Sequence, residues 1–251
     1  MGGLFASLVI LATVSLMPPT TSPIMFQRWR NLLFLHWLAD PDQLQARLPS
    51  KLTLDLFAGQ AYLGIVPFFM ERVRPRFLPP VPGLSNFLEL NVRTYVRDPD
   101  GRPGVWFFSL DCDQSIAVTI AQKLFNLPYR HAQMSAHTDS KGLVHYQCRR
   151  RHEERVSRWQ YRIPPTGQLR TAAEGSLEFF LLERYLLFSQ DRQERLHWGQ
   201  VQHPPYRFSE ADVPRFDDLP FQWNHLHISG DPVSALASPG PEVSIHPLHQ
   251  L

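Results

Sequence analysis

The chain has 251 residues, a length that fits one large β-rich domain or two small ones. Its formal net charge of +2 excludes a global attraction to polyanions, and aromatic residues, at 12%, supply much of the area available for a core. Its cysteines, Cys112 and Cys148, lack metal-ligand spacing, so we expect reduced thiols and a cytoplasmic protein. Metal motifs, glycine-rich phosphate loops and Ser-His-Asp spacing are not recognisable, and we predict neither a metal nor a cofactor.

The N-terminal residues differ in composition from the rest of the chain. An uncharged, mostly apolar run over residues 2–17 ends at Pro18 and is too short to span a membrane comfortably. No Lys or Arg precedes it and no clear cleavage site follows, so secretion or N-terminal anchoring is the minority interpretation. A misassigned start codon, with synthesis beginning near Met17 or Met25, explains the run equally well. We predict an extension over residues 1–23 and a single domain over residues 24–251.

The first part of the domain predicts a strand, a short helix and two further strands. Asp40 is a suitable N-cap and Pro41 suits the first helical position. A loop with a glycine over residues 58–60 indicates a hairpin between the two later strands. The predicted elements are a strand over 31–38, a helix over 42–48, and strands over 52–57 and 61–69. His36 is interpreted as a core or hydrogen-bonded histidine, with ligand binding as the alternative, because no second histidine stands at useful spacing.

A proline-rich segment, RPRFLPPVPGLS over residues 74–85, comes before the centre of the chain. It predicts either a lid or rim of a site or, as the favoured interpretation, a rigid cover over a sheet edge. On the other side of the central residues, positions 114–126 carry apolar side chains at helical spacing. They predict a helix with Ser115 as its N-cap.

The residues between these segments predict a β-hairpin whose register is set by its turn. Asp98-Pro99-Asp100-Gly101 is typical of a type I turn with a glycine bulge, which pairs Asp98 with Arg102. Counting back from that pair gives the expected cross-strand neighbours: Arg93 with Phe107, Asn91 with Ser109, and Glu89 with Asp111.

One face of the first hairpin strand is aliphatic and predicts a core contact, whereas the other mixes charge with aromatic rings. Glu89 and Asp111, about 5 Å apart at Cβ in this register, should repel unless Arg93 compensates them or one carboxyl keeps its proton. An exposed face with a solvated ion pair is the alternative. The aromatic rings favour an internal polar pocket. The candidate ligand-binding residues are Asn91, Tyr95, Phe107, Ser109, Asp111 and His36.

The rest of the chain returns mainly to β structure. The predicted elements are strands over 131–138, 143–150 and 156–163, a helix over 177–183 capped by Gly175-Ser176, and strands over 185–188, 196–201 and 242–247. Six arginines between positions 149 and 162 allow nucleic-acid binding, with Trp159 and Tyr161 as stacking partners. The polar faces of strands explain them better, because arginine alternates with apolar positions. The whole pattern predicts an α+β domain that is mostly antiparallel β, with a few short helices.

Several separated blocks of sequence form a recognisable series, namely RWR, FLHW, Asp40-Pro41, FLELNVRTYVRDPDGRPGVWFFSLD, LPYRHAQM, SLEFFLLERY and VQHPPY. In this order the blocks resemble the YqjF-like family, a domain of unknown function (2071). The chain resembles this family over residues 24–248. The family is assigned to the acetoacetate-decarboxylase-like superfamily, which implies a cone-shaped, largely antiparallel β-barrel around a cavity. The resemblance implies no particular reaction.

The superfamily resemblance also implies candidate catalytic residues. Decarboxylases of this fold form a Schiff base through a lysine in a Lys-Lys-Leu-Gly-Tyr-Pro segment, aided by a cavity glutamate and arginine. QKLFNLPY over residues 122–129 resembles that segment loosely, which implies Lys123 as nucleophile with Glu89 and Arg93 as cavity partners. Gln122 replaces one of the paired lysines, so the charge that would lower the pKa of Lys123 is missing.

Three functions follow as alternatives. The first is a lyase or hydrolase without a Schiff base, in which Glu89 or Asp111 transfers protons and Arg93 holds a carboxylate or enolate oxygen. The second is a non-catalytic module that binds a small carboxylate-bearing or aromatic metabolite in the cavity. The third, less favoured, is nucleic-acid binding. We expect a small-molecule ligand and no nucleic-acid or membrane partner. The sequence leaves the oligomeric state open, with a homo-oligomer as one alternative.

Overall fold

The computed structural model describes residues 21–115, 125–163 and 165–251. Within these ranges the chain forms short α-helices, namely α1 (Pro41–Gln45), α2 (Leu177–Leu182) and α3 (Leu219–Trp223), and a 3₁₀ turn at Thr166–Gln168. The strands are β1 (Met25–Arg30), β2 (Leu32–Ala39), β3 (Thr53–Leu54), β4 (Ala61–Pro75), β5 (Phe87–Arg97), β6 (Pro103–Cys112), β7 (Tyr129–Thr138), β8 (Leu143–Arg150), β9 (Ser157–Arg162), β10 (Leu186–Gln190), β11 (Leu196–Gln202), β12 (Ser209–Glu210), β13 (Ser234–Ser238) and β14 (Glu242–Gln250).

Seven strands close a ring, because each is hydrogen-bonded to two neighbours in the order β4, β1, β14, β11, β10, β6 and β5, and β5 returns to β4. Every pair in the ring is antiparallel except β10 with β6. The sheet continues beyond the ring through β2, β13 and β12 on one side and through β7, β8 and β9 on the other. The predicted α+β, mostly antiparallel fold class is confirmed. The described residues include no helix long and apolar enough to cross a membrane.

The turn of the central hairpin has the predicted geometry. Asp98 N–H donates to the carbonyl of Arg102 at 3.2 Å, and Gly101 adopts φ 78°, a left-handed conformation that glycine enters without strain. The register near the turn also follows the prediction, with Arg93 opposite Phe107.

Farther from the turn, the predicted register is wrong. A β-bulge between Val92 and Arg93 shifts the pairing by one residue. The observed pairs are Asn91 with Leu110 instead of Ser109, and Glu89 with Cys112 instead of Asp111. A bulge places one extra residue in one strand, and the turn sequence carries no information about it. Because strand side chains alternate, the shift moves Ser109 and Asp111 to the opposite face of the sheet from Glu89.

The structure confirms several local predictions and corrects others. Asp40 caps α1 by accepting from two backbone N–H groups, and Ser176 caps α2. The hairpin predicted from residues 52–57 and 61–69 is wrong, because β3 pairs with β5 instead of β4. The sequence interpretation missed β1, β12, β13 and α3. The helix predicted over 114–126 lies mostly outside the described residues, as does the apolar run over 2–17.

The two faces of β5 have different surroundings. Leu90 and Val92 pack with Tyr146 and Trp159 of the β7–β9 sheet in one hydrophobic cluster. The alternate residues of β5 point into the ring of strands. This separation of a packed outer face from an inner face that carries charge positions the candidate site.

Candidate functional site

A cavity of about 350 Å³ lies inside the ring of strands. Most of its wall consists of aliphatic and aromatic side chains, and a small number of polar groups enter it, mainly from β5 and from the segment between α2 and β12. A concave, mainly apolar space with a few placed polar groups is typical of small-molecule sites.

The inner face of β5 supplies the charged and amide groups of the cavity. Glu89, Asn91 and Arg93 follow one another at every second position, so all three side chains point inward. Across the sheet, β4 places Gly64 opposite Arg93. A Cβ at Gly64 would lie 3.1 Å from His36 Cδ2 and 3.5 Å from Arg93 Cγ. The missing side chain therefore makes room for the Arg93 stem and the imidazole beside it.

Arg93 is a buried cation whose hydrogen-bonding capacity is only partly used. Its side chain donates to the carbonyl oxygen of Leu181 at 3.1 Å, and its guanidinium lies over the rings of Phe34 and Tyr95. Arg93 is 9% exposed, its Nε has no hydrogen-bond partner, and it forms no ion pair with an acidic residue in the described part of the chain. Asn91 Oδ1 is likewise buried without a partner there. The cavity wall thus contains a desolvated positive charge that no acidic side chain of the described residues compensates.

Glu89 lies on the same inner face, four residues nearer the start of β5. Tyr129 donates from its hydroxyl to Glu89 Oε2 at 2.7 Å. Burial raises the pKa of the Glu89 carboxyl to about 7, the hydrogen bond from Tyr129 lowers it, and the negative charge of Asp111 adds to the rise. A carboxyl with a pKa near neutrality can both accept and donate a proton, as acid–base chemistry requires.

Two further basic residues of the cavity, Arg184 and His203, were missed by the sequence interpretation. Arg184 follows α2 and is held by Asp55 at 2.7 Å and by the carbonyl of Phe180 at 2.7 Å. Burial lowers the pKa of Arg184, while Asp55 raises it. The blocks LERY and HPPY, quoted for the family resemblance, contain Arg184 and His203, and that is the signal by which they could have been found.

His203 packs against the rings of Tyr185 and Tyr206 at the cavity wall. Its Nδ1 lies 2.8 Å from the carbonyl of Pro204, which assigns the ring proton to Nδ1 and leaves Nε2 as an acceptor. Burial and the positive charge of Arg93 together lower the pKa of His203 to about 4, against the hydrogen bond to Pro204, which raises it. The imidazole is therefore neutral at pH 7.

Tyr95 and His36 lie behind Arg93 instead of on the cavity wall. The Tyr95 hydroxyl donates to the carbonyl of Leu181 at 2.9 Å and lies 2.7 Å from His36 Nε2. Burial, aided by the charge of Arg93, lowers the pKa of His36. These groups are placed to position the guanidinium. Phe107, also a candidate from the sequence, does line the cavity.

Ser109 and Asp111 lie outside the cavity and belong to a separate buried network. Arg150 donates to both carboxylate oxygens of Asp111, at 2.7 and 2.8 Å, and to Ser109 Oγ at 2.7 Å. Asn224 Nδ2 donates to Ser109 Oγ as well, at 2.9 Å. The expectation that Arg93 compensates Asp111 is wrong, because the one-residue shift in register turns Asp111 toward β8.

The remaining candidates from the sequence are Lys123, Trp159 and Tyr161. Lys123 lies outside the described residues. Trp159 and Tyr161, proposed as stacking partners for nucleotides, are fully buried, so neither ring has an exposed face on which a base could stack. Within residues 21–115, 125–163 and 165–251, no cluster of three or more His, Cys, Asp or Glu side chains is suited to a metal ion.

The fold is that of the acetoacetate-decarboxylase-like proteins. The acetoacetate decarboxylase of Legionella pneumophila superposes with a TM-score of 0.60 at 14% identity, covering 100% of this chain and 98% of the other. The enduracididine biosynthesis enzyme MppR, complexed with pyruvate, superposes with a TM-score of 0.63 at 14% identity, covering 92% and 91%. An acetoacetate decarboxylase-like enzyme from Sphingomonas wittichii gives a TM-score of 0.59 at 14% identity, covering 92% and 94%.

Within this fold, the chain belongs to the DUF2071 family, described as an uncharacterized conserved protein, whose model matches residues 26–242. The uncharacterized protein YqjF of Bacillus subtilis (strain 168) is 38% identical over 190 residues, covering 76% of this chain and 77% of YqjF. The resemblance drawn from the sequence blocks is confirmed.

Proposed function

We propose that the cavity binds a small carboxylate-bearing metabolite and that Arg93 holds its carboxylate. The observation that carries this proposal is the buried Arg93 guanidinium, with an unpartnered Nε and no acidic partner in the described ranges. Burying a charge costs free energy unless an opposite charge and hydrogen bonds compensate it. A ligand carboxylate offers both, in the forked geometry that a guanidinium prefers.

The surroundings of Arg93 support the same ligand class. The rings of Phe34 and Phe107 line the cavity near the guanidinium and suit the hydrocarbon part of such a metabolite. MppR, a protein of the same fold, has been solved with pyruvate, which is a small carboxylate. That complex concerns MppR, but it supports the view that cavities of this fold accept such ligands.

The test measures the binding of a panel of small aliphatic and aromatic carboxylates. Thermal unfolding and calorimetry are the two readouts. A ligand specific for the native state raises the unfolding temperature. We expect Arg93→Met to weaken binding about tenfold or more, because the ligand's charge loses its partner. The ligand-free variant should be at least as stable as the wild type, since it removes an uncompensated buried charge. Arg130→Gln, a change at an exposed position of β7, is the matched control. Equal binding by Arg93→Met and the control would contradict the proposal.

A second candidate function is proton transfer by Glu89 on the bound ligand. Its buried position on the same inner face as Arg93 and its pKa of about 7 favour this role. Proton transfer by Glu89 is measured by the exchange of the ligand's α-protons in deuterated water. We expect Glu89→Gln to retain binding and lose exchange. Binding without exchange in the wild type would leave a non-catalytic module.

The Schiff-base role of Lys123 stays a prediction with its own test. Borohydride reduction in the presence of a keto acid should trap a covalent adduct in the wild type and none in Lys123→Ala. The remaining expectations, a cytoplasmic protein with a small-molecule partner, stay predictions too.

A further inference from the structure

The cavity has an inner end and a mouth, and the strand registers identify both. Arg93 is the innermost of the cavity residues on β5, and Phe87 is the first residue of the same strand. Arg93 lies six positions after Phe87, which corresponds to roughly 20 Å of strand. On β4, Gly64 lies opposite Arg93 and Met70 lies opposite Phe87. The two strands therefore form one continuous wall from the guanidinium to the start of β5.

The Phe87 end of this wall is the mouth of the cavity. The proline-rich segment that precedes β5 lines the cavity through Leu78, Val81 and Leu84. These three side chains are nevertheless 56%, 48% and 39% exposed. Side chains that contact both the cavity and the solvent mark its opening, so the segment forms the rim of the site. The interpretation as a cover over a sheet edge does not account for this contact.

Between the mouth and Arg93 the wall is mainly hydrocarbon. β4 contributes Val66, Phe68 and Met70 at alternate positions. Leu110 of β6 and Ile245 of β14 add to the same surface. Glu89 is the charged group that β5 places along this path, and Tyr129 holds one of its oxygens. A ligand as small as pyruvate at Arg93 would leave most of this apolar surface uncovered.

We infer that the ligand is an amphipathic carboxylic acid, whose carboxylate binds Arg93 and whose unbranched or aryl hydrocarbon tail runs along β5 toward the rim formed by Leu78, Val81 and Leu84. The inference rests on the proposed function for the carboxylate on Arg93, and it adds the tail and its direction. Transfer of hydrocarbon from water to such a wall is favourable in proportion to the area buried.

The direct test is a series of straight-chain carboxylates from acetate to dodecanoate, measured by calorimetry below their micelle concentrations. Each added methylene should tighten binding about fourfold until the tail leaves the mouth. A Kd that is constant along the series, with short acids still binding through Arg93, would overturn the inference and leave the proposed function standing. Failure of every acid to bind would overturn both. Alkanols that bind as tightly as acids of equal length would also overturn both, because they carry no carboxylate.

A pair of variants at the rim tests the direction of the tail. Leu78→Ser removes apolar surface at the mouth and should weaken the binding of long acids several-fold, with acetate and propionate unchanged. Phe77→Ser is the matched control, since Phe77 is 86% exposed and its neighbour Leu78, not Phe77 itself, lines the cavity. Equal effects of the two substitutions on long acids would contradict an exit of the tail at this rim.

Discussion

The Tyr129 hydroxyl donates a 2.7 Å hydrogen bond to Glu89 Oε2 and thereby opposes the effect of burial on that carboxyl. A hydrogen bond to the ionised form stabilises it. We expect Tyr129→Phe to raise the pKa of Glu89 above about 7. Carbon NMR titration of labelled glutamate carboxyls measures this change. Tyr62→Phe is the control, because its hydroxyl is not bonded to Glu89, and an unchanged or lower pKa in Tyr129→Phe would contradict the assignment.

The raised pKa of Glu89 also predicts how stability depends on pH. The native carboxyl binds its proton up to about pH 7, whereas in the unfolded chain the same group titrates near 4.5. Between these pH values the native state binds more protons than the unfolded state. The contribution of the Glu89 carboxyl to the free energy of unfolding therefore falls as pH rises. The loss is complete above about pH 7 and amounts to about 3 kcal/mol.

Glu89→Gln removes this dependence, because glutamine stays neutral. The variant should gain stability relative to the wild type between pH 5 and pH 8, as measured by urea unfolding at both values. Glu174→Gln, at an exposed position, should show no such gain. A difference between Glu89→Gln and the wild type that is equal at both pH values would show that the buried carboxyl does not titrate in this range.

Gly64 occupies a position where even a methyl group is crowded. An added Cβ would lie 3.1 Å from Cδ2 and 3.3 Å from Nε2 of the fully buried His36. We expect Gly64→Ala to lower the free energy of unfolding by about 1–3 kcal/mol, the usual effect of overpacking. It should also weaken carboxylate binding, because the Arg93 stem is 3.5 Å away. Gly167→Ala has open space around it and should stay within about 0.5 kcal/mol of the wild type.

Local signals in the sequence were sufficient for the elements that depend on neighbouring residues. The caps at Asp40 and Ser176 and the turn at Asp98 follow from side chains a few positions apart. The alternation along β5 also identified Glu89, Asn91 and Arg93 as one face, and the structure places that face inside the ring of strands.

Features that depend on distant residues could not be obtained in this way. The bulge at Val92 reversed the side on which Asp111 lies, and the pairing of β3 with β5 brings together segments separated by all of β4. Arg184 and His203 reach the cavity from a part of the chain about a hundred residues after β5. Each of these features is a consequence of tertiary packing, which leaves no periodic pattern in a single sequence.

The buried pair of Asp111 and Arg150 predicts a large and asymmetric effect of substitution. Asp111 is fully buried and both of its oxygens accept from Arg150. Asp111→Asn leaves the guanidinium without its countercharge, and removing one partner of such a pair costs about 3–5 kcal/mol. The exposed pair of Arg162 and Asp212 is the control, and Asp212→Asn should cost less than about 1 kcal/mol.

A double substitution separates loss of the ion pair from loss of packing. Asp111→Leu with Arg150→Met replaces both charges by apolar groups, and it should recover most of the stability lost in either single variant, because neither charge remains unpaired. Denaturant unfolding of the four proteins in this cycle gives the coupling free energy. The double variant could instead lose as much unfolding free energy as the two single variants lose together. In that case the bonds to Ser109, and not the charge pair, stabilise this face of the sheet. Carboxylate binding in the cavity should be unaffected in the double variant, since this network lies on the opposite face of β5 and β6 from Arg93.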